Sequence, residues 1–348
     1  MQFDKPVLAI DVGGGTQDIF LFQPGQTVEN SVQMILPSQT QVIARQIREI
    51  TDRREDLFLT GSLMGGGASS SAIRKHLAAG CRVYANPEAA KTLDDDLNKV
   101  RAMGIIVTES PPENTVSVTM GDINLPALAA ALKAFAVELP EQIVVAVQDH
   151  GYSPGFSNRL FRFQHWQRFI VEEGGDIRRL LYSEVPSYLT RMLAVKALLP
   201  QAYLADTGTA AIWGALEDPQ VAAKQAEGVI LLNVGNQHTV GVLLKEWQVY
   251  GLFEHHTGLL SPGKLIDYVE RLRLGALTHA EIYQDGGHGC YIRPDYNPAS
   301  GFNLVAATGP RRAMTWGAGY YLAVPHGNMM LAGAFGLVAA LAAQKREQ

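Results

Sequence analysis

Hydrophobic positions along this chain fall into short uninterrupted runs and longer stretches with helical spacing. Val7–Val12 and Ile19–Phe22 are apolar runs around a polar, glycine-bearing turn. That pattern predicts a buried strand, a tight turn and a returning strand. Val229–Val234 and Val240–Leu244 repeat the design about half a chain later. Between the hairpins, the spacing predicts strands over residues 33–36, 56–60, 141–147 and 202–205, and an outer strand or hairpin over 115–123. Helices are predicted over 40–51, 72–79, 128–137, 160–173, 186–199 and 207–216, with short αβ units up to about 104. After the second hairpin come a helix over 260–274, a strand over 302–307, a turn at 308–310 and a last helix over 328–343. Strands alternating with helices predict α/β layers.

A chain of 348 residues is long for one core, so two domains are expected. A hydrophobic content of 47% and a charged content of 18% describe a soluble globular protein. The formal net charge of -5 argues against a nucleic-acid binder, which is usually basic. No apolar run reaches membrane-spanning length, and the N-terminus leads straight into a strand without a visible signal peptide. Cys81 and Cys290 are far apart and form neither a disulfide framework nor a four-thiolate site. A cytoplasmic location is the expectation.

The strongest chemical signal is Asp11 followed by Gly13, Gly14, Gly15 and Thr16, with Asp18 just beyond. Glycines allow positive φ and close approach of a ligand to the backbone. Bare amides in such a turn form an anion-binding nest, and a carboxylate beside bound phosphate suits a hydrated Mg²⁺. Asp18 is either a second carboxylate of that shell or an exposed strand residue. In the second hairpin Asn233 stands where the first has Asp11, and Gly235, Asn236, His238 and Thr239 offer backbone and polar groups to phosphate or cap the hairpin. Gly65, Gly66 and Gly67 precede a helix without the lysine of a Walker loop, and read as an approach to a cleft or a plain flexible loop. His150, Glu254, His255 and His256 lie in turn-like contexts and, with Asp149 and His288 as further candidates, form either a second metal or substrate site or ordinary loop contacts. Neighbours on a strand face opposite ways, so His255 and His256 meet one ligand only if the chain turns there.

The segment Asp11–Asp18 resembles a phosphate hairpin of the superfamily of actin, heat-shock chaperone ATPases and sugar kinases. Ile143–Asp149, Asp206–Gly214, Leu304–Gly309 and Met330–Ala334 resemble further segments of it and follow in the order that superfamily uses. Within it, Thr60–Gly67, Gln148–Gly151, Phe253–Gly258 and Thr308–Arg311 are similar to a family labelled "putative pyruvate formate-lyase activating enzyme". Radical activation needs an iron–sulfur cluster on clustered cysteines, which Cys81 and Cys290 do not supply, so the expectation is not a radical activase.

The resemblance implies two actin-like (ribonuclease H-like) ATPase domains facing a cleft: residues 1–148 joined by the helix 328–345, and residues 149–327. It implies ATP and Mg²⁺ as cofactors, with Asp11 and Asp18 at the metal. Gly13–Thr16 and Gly235–Thr239 would bracket the phosphates, and Thr308 and Gly309 would border adenosine. Gln148 and Asp149 would orient an attacking water or acceptor hydroxyl. The expected function is an ATPase-coupled activator or a small-molecule phosphotransferase. Its partner would be an unnamed acceptor or client protein, with no nucleic acid or membrane and the oligomeric state open. The alternatives are a non-catalytic nucleotide-binding or scaffold protein, or a metal-dependent enzyme using the histidine turn.

Overall fold

The computed structural model describes residues 3–347. Its first strands are β1 (Val7–Val12), β2 (Thr16–Phe22) and β3 (Val32–Pro37). A smaller parallel sheet follows, from β4 (Leu57–Gly61), β5 (Val83–Ala85), β6 (Ile105–Val107) and β7 (Val116–Met120). The chain then returns to the first sheet with β8 (Gln142–Val147), β9 (Leu181–Tyr182) and β10 (Tyr203–Ala205). The second large sheet uses β11 (Val229–Val234), β12 (His238–Lys245), β13 (Gln248–His256), β14 (Gly289–Ile292), β15 (Leu304–Thr308) and β16 (Tyr321–Leu322).

The two large sheets are built alike. The first runs β3-β2-β1-β8-β10-β9 and the second β14-β13-β12-β11-β15-β16. Each contains three antiparallel strands (β3-β2-β1 and β13-β12-β11) with two parallel additions, β8 then β10 and β15 then β16; the sixth strand differs, β9 running antiparallel to β10 and β14 antiparallel to β13. This repeated order is the two-domain, actin-like arrangement that the paired hairpins imply. Strands β9 and β10 belong to the first sheet, although they follow residue 148.

Period-two alternation decides which core each strand feeds. Val7 and Ala9 of β1 and Val229 and Leu231 of β11 face a shared inner core. Leu8 and Ile10 face an outer core of the first sheet, and Ile230 and Leu232 one of the second. The inner core is filled by the helices Asn158–Val171, Thr207–Leu216 and Ala332–Glu347. Residues 332–342 are all buried, and all are apolar side chains apart from the small Gly333 and Gly336, as expected of a helix between two layers. No helix among the described residues is long and apolar enough to cross a membrane.

Several boundaries moved. The helix expected over 72–79 is Gly67–Ala78, so it starts at the glycine run itself. The last helix starts at Ala332, after a short 3-10 turn at Met329–Leu331. The outer strand expected over 115–123 is β7, shortened to Val116–Met120; it does lie at the edge of the small sheet, paired in parallel with β4.

Candidate functional site

Both hairpin turns open on one cavity of about 300 Å³ between the two sheets. Each turn is closed in the same way. The Gly13 amide donates to the Thr16 carbonyl at 2.8 Å, and the Gly235 amide to the His238 carbonyl at 3.0 Å. Those two glycine amides are therefore engaged by the turns. The amides of Gly14, Gly15, Asn236 and Gln237 have no hydrogen-bond partner among the described residues.

The reason for glycine here differs from the sequence expectation. Gly13, Gly14, Gly15, Gly235 and Asn236 are not among the residues with positive φ. Space is the constraint. A Cβ on Gly14 would lie 2.3 Å from the Gln237 side chain, and one on Gly15 would lie 2.8 Å from that of Asn236. A Cβ on Gly67 would also approach Gln237, at 2.9 Å. Two glycine segments, at Gly14 and at Gly67, thus converge on the side chain of Gln237, which the motif had not singled out.

Asp11 and Asp18 stand directly opposite each other on β1 and β2. Oδ1 of each is buried without a hydrogen-bond partner. Burial raises the Asp11 carboxyl well above its ordinary value, and the neighbouring charges of Asp18 and Asp206 push it further. Burial also lifts Asp18 to about 7, against a hydrogen bond from Thr16. Two facing carboxyls with orphaned oxygens are what a divalent cation satisfies, so these residues fit Mg²⁺. The second hairpin has no such pair, because Asn233 faces Val240.

The Asp18 carboxyl has a testable sign. Its folded value of about 7 lies above its ordinary 3.8, so its stabilising contribution is complete below about pH 3.8 and lost as pH rises through 7. In chelator-treated, Mg²⁺-free buffer at pH 8, Asp18→Asn should be more stable than wild type by about 1–3 kcal/mol. That advantage should vanish toward pH 4. Urea unfolding at both pH values checks it, and equal stabilities at pH 8 would refute the buried-charge reading.

Gln148 and Asp149 follow β8 at the cavity, but only one of them has a free role. Asp149 accepts from the amides of Gly151 (2.8 Å) and Met192 (2.9 Å), one on each carboxylate oxygen. It holds the loop rather than presenting a base. The Gln148 amide lies 3.3 Å from Glu254 Oε1 and stays partly open to the cavity. Thr239 is likewise committed, its hydroxyl 2.9 Å from that of Thr257. Thr308 is buried with Oγ1 unpartnered, and Gly309 adopts φ +94 with its Cα face against Val234 and Asn233.

Arg162, from the helix Asn158–Val171, ties the cavity floor together. It donates to both oxygens of Glu254 on β13 (2.8 and 2.9 Å), to both of Asp206 (2.8 and 3.0 Å), and to the Asp149 carbonyl (2.8 Å). Arg191 makes a similar fork to Asp122 (2.7 and 2.8 Å) and reaches the Gln148 carbonyl at 2.6 Å. Neither arginine carries a motif; each is one cation in an ordinary helical pattern.

The histidines do not gather as the sequence suggested. Strand β13 continues through His256, so alternation holds: Glu254 and His256 face the cavity side and His255 the opposite side. His255 Nε2 lies 3.1 Å from Asp285. His150 instead meets His238 and His288, with ring centroids 5.7 Å away in both cases. His256 packs 4.8 Å from each of those two. Burial, reinforced by the nearby Arg162, pushes His150 down to about 3 and His288 to about 2, and burial lowers His238 well below its usual value.

The repeated sheets and their facing turns define a protein of the actin-like ATPase fold. The chain belongs to the family described as "Putative pyruvate format-lyase activating enzyme (DUF1786)", which matches residues 64–314. Among solved structures, it is similar to a Bacteroides thetaiotaomicron protein with actin-like ATPase fold and unknown function. That likeness has 8% identity and a TM-score of 0.33, covering 90% of this chain and 89% of that one. It is also similar to the ethanolamine utilization protein EutJ from Carboxydothermus hydrogenoformans (9% identity, TM-score 0.29, 97% and 90% covered). A third is the ROK hexokinase from Thermus thermophilus (12% identity, TM-score 0.28, 97% of each chain covered). No curated protein matches the chain in sequence.

Proposed function

We propose that the cleft binds ATP with Mg²⁺, and that the protein is an ATPase-coupled activator or a small-molecule phosphotransferase. One observation carries this reading: two matching turns face each other across the cavity, beside two opposed carboxyls with orphaned oxygens. Asp11 and Asp18 would hold Mg²⁺, whose charge would screen phosphate oxygens from one another. The free amides of Gly14, Gly15, Asn236 and Gln237 would donate to phosphate. Thr308 and Gly309 would border the nucleoside. Gln148 would orient a water or an acceptor hydroxyl, and Asp149 would position Gln148 through the loop it braces. Gln237 would have to swing aside for phosphate to reach Gly14, which couples entry to a side-chain movement.

ATP or ADP with Mg²⁺ should raise the melting temperature. Saturation at about 100 times Kd adds about 2.7 kcal/mol, on the order of a few degrees for a protein of this size. Calorimetric titration with ATP, ADP and GTP, with and without Mg²⁺, checks the reading. Neither heat nor a melting shift at millimolar nucleotide would end it.

Gly14→Val should abolish that response while the protein still folds. Its side chain would collide with the flexible end of Gln237 and fill the space in front of the free amides. Nucleotide affinity within about threefold of wild type, by the same titration, would move the phosphate site elsewhere.

A second reading, a non-catalytic nucleotide-binding protein, is favoured by the committed carboxylates. Asp149 and Glu254 are both tied up beside Gln148. Phosphate release from bound ATP, measured against a Gln148→Ala variant, separates the two. Release that falls about 10²-fold in the variant supports catalysis, and absence of release in the wild type supports the second reading.

A further inference from the structure

We propose that His150, His238 and His288 form a binding site for a divalent transition-metal ion that spans the cleft beside the phosphate turns. One ring nitrogen from each lies within 4.8 Å of the other two. Metal–imidazole bonds are about 2.0–2.1 Å long, so small side-chain rotations bring all three onto one ion.

The state of these rings is what a ligand needs. His288 is 0% exposed, and both of its ring nitrogens lack a hydrogen-bond partner. Nε2 of His238 is also buried and unpartnered. A buried imidazole with nothing to bond is costly. His288 and His238, joined by the half-buried His150, bring a ring nitrogen each to one point without a carboxylate bonded among them. Neutral imidazoles do not attract an anion, but they are good ligands for Zn²⁺, Fe²⁺, Co²⁺ or Ni²⁺. Oxygen-seeking Mg²⁺ would not choose this set, so the site is chemically distinct from Asp11 and Asp18.

The three ligands come from separate places. His150 follows β8 of the first sheet. His238 opens β12 directly after the second turn, and His288 precedes β14. The His288 amide donates to the Glu254 carbonyl at 2.9 Å, which fixes its place beside β13. His150 and His238 line the cavity. The ion therefore has a protein-filled side at His288 and an open side toward the cleft. An open position on a three-histidine site takes water or an anionic oxygen, such as a phosphate or carboxylate of a substrate. His256 packs at the edge of the cluster and can narrow that opening. Because the ligands come from both sheets, the metal also fastens the two halves together.

The test uses full-length protein purified without a histidine tag and stripped with a chelator. Co²⁺ addition should produce visible d–d bands of a four- or five-coordinate site at one equivalent, and Zn²⁺ should displace them. His150→Ala and His288→Ala should each weaken Co²⁺ binding about 100-fold or more, since even outer-shell partners are worth 10–100-fold. His255→Gln, whose ring faces Asp285 instead, should leave the spectrum unchanged. Circular dichroism reports whether each variant folds, and the wild-type spectrum stands without them. Absence of Co²⁺ bands in the wild type, or equal affinity in folded His150→Ala and His288→Ala variants, would overturn the proposal. Because no nucleotide is added, failure here leaves the ATP reading untouched, and the reverse also holds.

Discussion

Arg162→Ala should destabilise the protein by about 3–5 kcal/mol, the cost of leaving buried charge uncompensated. Arg162 is 3% exposed and Glu254 is 0% exposed. Without Arg162, Glu254 keeps only the long contact from Gln148, at 3.3 Å. Asp206 keeps its helix-capping bond to the Gly208 amide, at 2.8 Å. The larger part of the loss therefore falls on Glu254. Arg162→Lys should rescue little, because one ammonium cannot fork to two carboxylates and a carbonyl. Adding Glu254→Gln to Arg162→Ala should recover part of the loss by removing the stranded charge. Urea unfolding of the three variants decides it. A cost below about 1 kcal/mol for Arg162→Ala would mean that water already reaches the network.

The second large effect is expected at Gly214, where the helices Thr207–Leu216 and Ala332–Glu347 cross. A Cβ on Gly214 would lie 1.8 Å from the Ala332 carbonyl oxygen. One on Gly336 would lie 2.1 Å from that of Ala210. These neighbours are backbone and cannot rotate away, so Gly214→Ala must push the helices apart. Overpacking of this kind costs about 1–3 kcal/mol, and more where the backbone resists. A second readout follows from position. The Ala332–Glu347 helix begins beside Asp11, whose carboxylate packs against Gly333. Gly214→Ala should therefore weaken Mg²⁺-dependent nucleotide binding as well as stability. A variant with wild-type stability would show that the crossing is looser than the contacts indicate.

The hairpins were legible because each signal is local. An apolar run, a polar turn and a second run admit few other structures, and β1–β2 and β11–β12 formed where the pattern put them. The pairing of Asp11 with Asp18 was also within reach, since hairpin register fixes it. The purpose of the glycines was less so. They leave room for Gln237 and Asn236, which arrive from a turn more than two hundred residues away. Arg162 was invisible for a similar reason, because its partners Asp206 and Glu254 come from distant segments. His255 and His256 show a local rule working against a motif: as long as the strand continued, only one could face the cleft. His288 was already a candidate for a site with His150, whereas His238 joined them from a hairpin position read as a phosphate contact.

The buried Ala332–Glu347 helix also bears on how the protein is made. It follows every strand of the first sheet in the chain, yet Phe335 packs on Phe20 with ring centroids 4.9 Å apart, in the same core as Val7 and Ala9. On the ribosome, β1 and β2 therefore emerge more than three hundred residues before the segment that seals their inner face. Apolar strand surface left open for that long invites aggregation. Until that helix arrives, the first half has only the Asn158–Val171 and Thr207–Leu216 helices to cover that inner core.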